Sequence, residues 1–157
     1  MGKAMFYHMT DDPLEVTARN LLSRAIEQGL PVAVRGRDPA HLDWLNKVLW
    51  LGEKGAFLPH GLAEDPYAAD QPVLLTTAPV APNNARIVML VDRSEAEPAE
   101  VALLERLWVM FDGNDPDSVS HARKQWKSMV AAGVLAEYWA QEGGRWTCKA
   151  KSGNGIA

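Results

Sequence analysis

Strand-like and helix-like segments alternate through the first 50 residues, and this alternation does most to limit the possible folds. A short apolar run at Ala4–Met9 precedes a helical pattern that starts at Pro13 and ends near Gly29. A second apolar run, Pro31–Arg35, precedes a helical pattern that ends near Trp50. Strands separated by single helices usually pair in parallel, with right-handed crossovers that put the helices over the sheet. The sequence therefore predicts an α/β fold with a parallel central sheet.

The rest of the chain adds strands and one further helix. Strands are predicted at Val73–Thr77 and Arg86–Val91, and a helical turn leading into a strand is predicted within Val101–Phe111. Near the C-terminus, Leu135–Gln141 and Arg145–Lys149 flank two glycines, which predicts a hairpin. Most of the polar connecting segments between these elements are predicted to be loops.

Composition and charge exclude several classes of protein. Of the 157 residues, 47% are hydrophobic and 23% charged, which is typical of one globular domain, predicted over residues 1–150 with a disordered tail at 151–157. The net charge of −4 argues against a general nucleic-acid binder. A single cysteine, Cys148, allows no intrachain disulfide, and no apolar run approaches the roughly 18 residues that cross a bilayer. We therefore expect a cytoplasmic protein with no membrane partner.

The sequence carries no motif for catalysis, a cofactor or a metal. The loops after the first two strands, Thr10–Pro13 and Gly36–Pro39, lack both glycine-rich phosphate-binding patterns. None of the four histidines has the spacing of a metal site, and His60 is better explained by a local hydrogen bond. Cys148 is predicted to be a packed thiol rather than a nucleophile. No catalytic, cofactor-binding or metal-binding residue is therefore predicted.

One helix has clear signals at both ends and a distinctive surface. Asp115 is a natural N-cap and Gly133 a natural stop. Between them, Arg123 and Lys127 are neighbours on the helix surface and flank Trp126. In a purely structural interpretation, Trp126 packs inward and the charges are solvated. In a functional interpretation, the three side chains form a recognition site for an acidic peptide with an apolar end.

Six short motifs follow one another along the chain in a specific order. They are Phe6-Tyr7; Leu42 with Leu49-Trp50; Phe57-Leu-Pro-His-Gly61; Phe111-Asp-Gly-Asn-Asp115; Ala122-Arg123 with Trp126-Lys127; and Tyr138-Trp139 with Gly144-Arg145-Trp146. Together they resemble the chi subunit of bacterial DNA polymerase III, an accessory protein of the clamp loader, from about Ala4 to Lys149. The resemblance implies a Rossmann-like three-layer αβα sandwich with a mostly parallel central sheet, without nucleotide catalysis.

The resemblance also implies a binding surface for the acidic, phenylalanine-terminated C-terminal tail of single-strand DNA-binding protein. The corresponding residues are Arg123, Trp126 and Lys127. Tryptophan replaces the tyrosine of the family's best-known member and keeps a flat apolar surface. A further basic position of the family falls on Val119, and Lys124 is the candidate to compensate for it.

A second implied surface binds the psi subunit, or in its place a repair helicase, through Trp50 and Phe57. Simple core packing is the alternative interpretation of these two residues. The resulting hypothesis is a non-catalytic adaptor that connects the clamp loader to coated single-stranded DNA. The alternatives are a small Rossmann-like enzyme or nucleotide-binding protein, and direct nucleic-acid binding through Arg35, Arg37 and the Arg123 region, which the net negative charge disfavours.

Overall fold

The computed structural model describes residues 2–50, 60–62, 70–78 and 83–152, and only the backbone of Trp50. Within these ranges the chain forms eight strands and four helices. The strands are β1 (Lys3–Met9), β2 (Val32–Arg35), β3 (Gly61–Leu62), β4 (Val73–Thr76), β5 (Ile87–Leu90), β6 (Arg106–Asp112), β7 (Leu135–Glu142) and β8 (Arg145–Ser152). The helices are α1 (Leu14–Glu27), α2 (Pro39–Trp50), α3 (Pro98–Val101) and α4 (Pro116–Ala131).

The strands form one sheet in the order β3-β4-β2-β5-β6-β1-β7-β8. Every pair is parallel except β7 and β8, which form the predicted C-terminal hairpin. The hairpin turn consists of Gly143 and Gly144, both at positive φ, a conformation that glycine adopts without strain. The prediction of a mostly parallel α/β sheet is therefore confirmed.

Two apolar clusters lie on opposite faces of the sheet, so the fold has three layers. Side chains alternate along β1: Tyr7 packs with α1 and α2, and Phe6 packs with α3 and α4. Strands covered on both faces bury nearly every side chain, as β2, β4 and β5 do here. This arrangement is the Rossmann-like αβα sandwich that the resemblance implied.

The structure differs from the sequence predictions at three places. The prediction of a helical turn from Val101 onward is wrong: α3 spans Pro98–Val101 and so ends at Val101, because Glu97 and Glu100 form a reciprocal capping box that starts the helix earlier. Strand β3 was not predicted, since two residues are too short to show a period. Strand β8 continues to Ser152, two residues into the predicted tail, and residues 153–157 lie outside the described part of the chain.

Candidate functional site

Helix α4 begins and ends as predicted. The Asp115 carboxylate accepts a hydrogen bond from the Asp117 amide at 3.2 Å and one from the Ser118 hydroxyl at 2.8 Å. The hydrogen bond from Ser118 is the main reason why the pKa of Asp115 lies below its ordinary value. Gly133, just beyond the helix, has a φ of +83°. These local signals fix the position of every side chain along the helix.

Trp126 is held edge-on against the sheet and is only partly buried. Its ring centroid lies 5.3 Å from that of Phe6 on β1 and 6.0 Å from that of Tyr138 on β7. Arg123 and Lys127, on the same flank of α4, are exposed. The structural interpretation of Trp126 and the recognition-site interpretation are thus compatible, because packing on Phe6 fixes the ring at the edge of a charged surface.

A cavity of about 430 Å³ runs along this flank, and we call it the α4 groove. Its lining includes Gly113, Pro116, Val119, Arg123, Lys124 and Lys127. The three cationic side chains form no hydrogen bond or ion pair within the described ranges, whereas Lys3 pairs with Glu137 at 2.9 Å. The groove is therefore a cationic surface whose charges are available to a ligand.

Two residues next to the groove were missed by sequence reasoning. His8 Nδ1 lies 2.6 Å from the Tyr138 hydroxyl, and the His8 ring packs edge-on against Phe111. Burial lowers the pKa of His8 and the charge of Arg123 lowers it further, while Asp112 acts in the opposite direction. Burial raises the pKa of Tyr138, and Arg123 opposes that rise. Arg123 is therefore close enough to influence both residues.

The second predicted surface lies mostly outside the described residues. Trp50 is the last residue of α2, but its side chain is not described, and Phe57 falls in the range 51–59. Helix α2 packs on the sheet face opposite α4. The structure thus brings Arg123, Trp126 and Lys127 together and puts Trp50 on the other side of the sheet.

His60 makes a local hydrogen bond at 3.0 Å with the backbone carbonyl of Asn46 on α2, as predicted.

The loop between β1 and α1 is occupied by a side chain of the protein itself. The backbone amides of Thr10, Asp11 and Asp12 all donate to Gln141 Oε1, at 3.2, 3.1 and 3.2 Å. Amides at this place in an α/β fold are the donors that hold a phosphate in nucleotide-binding proteins. Here they are already satisfied, and the Asp11 and Asp12 carboxylates flank them.

The loop between β2 and α2 is occupied in a similar way. Asp92 Oδ2 accepts hydrogen bonds from the amides of Arg37 and Asp38, at 3.1 and 2.7 Å. Arg35 is buried and pairs with Glu100 at 2.8 Å. The hypothesis that Arg35 contacts nucleic acid is therefore wrong, because its guanidinium lies in the interior and is bound to a carboxylate.

The described ranges contain no group of three or more histidine, cysteine, aspartate or glutamate side chains arranged to hold a metal ion. No helix in them is both long enough and apolar enough to cross a membrane.

Comparison with known proteins bears on the family of the chain, not on the residues of the groove. The family model described as DNA polymerase III chi subunit, HolC, matches residues 1–137, so the second half of β7 and all of β8 lie beyond the match. The probable DNA polymerase III subunit chi of Rickettsia prowazekii (strain Madrid E) is 25% identical over 95 residues. This alignment covers 60% of the chain and 58% of the relative, less than two thirds of the relative's length. Because the family model covers most of its residues, the chain belongs to the DNA polymerase III chi subunit family.

Proposed function

We propose that this chain is a non-catalytic adaptor that binds the acidic C-terminal tail of single-strand DNA-binding protein in the α4 groove. Membership of the chi-subunit family supports an accessory role in the DNA polymerase III complex. The observation that carries the finer proposal is the groove itself: three cations without a partner among the described residues stand beside a half-buried tryptophan. Such a surface favours a peptide that combines carboxylates with an apolar end.

The groove cations and the neighbouring Trp126 each have a distinct part in this proposal. Arg123 pairs with the terminal carboxylate, since a guanidinium offers two parallel donors to a carboxylate. Trp126, supported by Phe6, provides the flat surface for the terminal apolar side chain. Lys124 and Lys127 attract the acidic stretch that precedes it.

Val119 stands where the resemblance implies a further basic residue. It lines the groove one helical turn before Arg123. A branched apolar side chain there extends the apolar surface available to the peptide, and Lys124 lines the same groove. The groove therefore combines a positive rim with an apolar wall.

The test is calorimetric titration with a synthetic peptide of the acidic, phenylalanine-terminated tail. Arg123→Ala should weaken binding by about 10- to 100-fold, equivalent to roughly 1–3 kcal/mol, which is typical of a charged hot-spot residue. Binding to the unmodified protein should also weaken as salt is added, because the groove is exposed to solvent.

The matched control is Arg24→Ala. Arg24 is an exposed arginine near the end of α1, on the opposite face of the sheet, so its removal changes the net charge equally. It should leave peptide affinity nearly unchanged. Equal affinities for the Arg123→Ala and Arg24→Ala variants would contradict the site.

We further propose that a second partner, the psi subunit or a repair helicase, binds through Trp50, the last residue of α2, and Phe57, which lies outside the described residues. Supporting this, Trp44 on the same helix is 41% exposed and stacks on His41 at 5.4 Å, and exposed aromatics are typical of protein contacts. Because α2 and α4 lie on opposite faces of the sheet, both partners could bind at once. In the same titrations, Trp50→Ala should bind the tail peptide normally. In a co-purification experiment, the same variant should lose the second partner.

A further inference from the structure

His8 and Tyr138 form a hydrogen-bonded pair beside Arg123. They lie on the neighbouring parallel strands β1 and β7, and both are half-buried. The Tyr138 ring contacts Trp126 edge-on at 6.0 Å and packs against Phe111 at 5.9 Å. A ligand that rests on Trp126 and pairs with Arg123 therefore lies next to this pair.

The direction of the hydrogen bond depends on the protonation of His8. In the neutral ring with its hydrogen on Nε2, Nδ1 accepts the hydrogen of the Tyr138 hydroxyl, which then has no hydrogen for a ligand. In the protonated ring, Nδ1 must donate, so the Tyr138 oxygen accepts and its hydrogen is free to point elsewhere. Starting from the neutral form with its hydrogen on Nε2, protonation of His8 thus turns Tyr138 into a donor that the groove can use.

We propose that His8 and Tyr138 belong to the peptide-binding surface, and that a carboxylate bound beside Arg123 is taken up together with a proton on His8. The Tyr138 hydroxyl then donates to that carboxylate. This inference rests on the proposed function and adds two residues to the three that the resemblance implies for tail binding.

The direction of the pH effect follows from the charges that face His8: Arg123 from α4, Asp112 from β6 and Tyr138 from β7. In the free protein, burial and Arg123 hold the pKa of His8 below its ordinary value. A bound carboxylate offsets the charge of Arg123 and raises that pKa. The complex then binds more protons than the free protein. Affinity for the peptide therefore rises as the pH falls through the His8 pKa of the complex, and it levels off once the pH is below the His8 pKa of the free protein.

Calorimetric titration with the synthetic tail peptide between about pH 5.5 and 7.5 tests this, since histidine titrates in that range. Wild-type affinity should rise about tenfold on acidification for each unit by which binding raises the pKa of His8. Peptide carboxylates titrate near pH 4 and do not contribute. His8→Gln should remove the pH dependence, and Tyr138→Phe, which keeps the ring contacts, should reduce it.

His121→Gln is the matched control, because His121 lies on the other flank of α4 and pairs with Glu95 at 2.9 Å. It should keep the full pH dependence. A second measurement uses the unmodified protein: in buffers of different ionisation enthalpy, the binding heat should reveal proton uptake. Peptide binding without proton uptake, or pH dependence that persists in His8→Gln, would overturn this inference and leave the proposed function intact. No peptide binding at any pH would overturn both.

Discussion

Replacing Gly113 with alanine should destabilise the protein by about 3 kcal/mol, the upper part of the range for overpacking a well-filled site. A Cβ atom at this position would overlap the His8 ring and lie 2.9 Å from the Met9 carbonyl oxygen. The backbone has little room to retreat, because the Gly113 amide donates to that same oxygen at 2.7 Å. Denaturant unfolding should show the loss as a lower midpoint with an unchanged slope.

Two comparison variants separate the steric clash from other effects of removing a glycine. Gly133→Ala places a Cβ in open space at a φ of +83°, so it should cost only the backbone strain, about 1–2 kcal/mol. Combining Gly113→Ala with His8→Ala removes the ring that the new Cβ would hit, so the pair should be less destabilised than the sum of the single variants. Strict additivity would show that the clash with His8 is not the cause.

The same substitution also bears on the groove. Displacing His8 disturbs its hydrogen bond with Tyr138 and, through Tyr138, the support of Trp126. At temperatures where Gly113→Ala remains folded, we therefore expect weaker binding of the tail peptide than for Gly133→Ala. A structural glycine in the turn before α4 thus links the stability of the fold to the shape of the groove.

Helix α4 could be predicted in detail because its signals are local. Asp115, Pro116 and Gly133 fix its ends, and the spacing of Arg123 and Lys127 then places both cations on one flank without any tertiary information. A comparable local signal, the Glu97 and Glu100 capping box, marks the start of α3. Local signals therefore account for the helices and for the cations of the groove.

The pairing of His8 with Tyr138 could not be predicted in this way. The two residues are 130 positions apart in sequence, and they meet because β1 lies between β6 and β7 in the sheet. Strand order is decided by the packing of the whole sheet and its helices, and no local pattern records it. The partial burial of Trp126 has the same origin, since its neighbours Phe6 and Tyr138 lie on β1 and β7.

Replacing Gln141 with alanine should cost about 2–3 kcal/mol of stability. Its side chain is buried and accepts hydrogen bonds from three backbone amides of the β1–α1 loop. It also donates a hydrogen bond to the Asp12 carboxylate at 2.9 Å. At about 1 kcal/mol for each net hydrogen bond, the loss of stability would be larger. Asp11 and Asp12 are exposed, however, so water can replace some of these hydrogen bonds in the variant. Thermal or denaturant unfolding measures the difference.

Gln125→Ala is the matched control, since Gln125 is similarly buried but, within the described residues, accepts one hydrogen bond, from the Ala96 amide at 3.2 Å. It should lose about 1 kcal/mol of stability. A loss in Gln141→Ala no greater than in Gln125→Ala would show that the loop amides bind water equally well.

Nucleotides should raise the melting temperature of neither wild type nor Gln141→Ala, because the Asp11 and Asp12 carboxylates repel a phosphate even when the amides are free. A nucleotide-dependent rise in the wild type would favour the enzyme alternative over the adaptor.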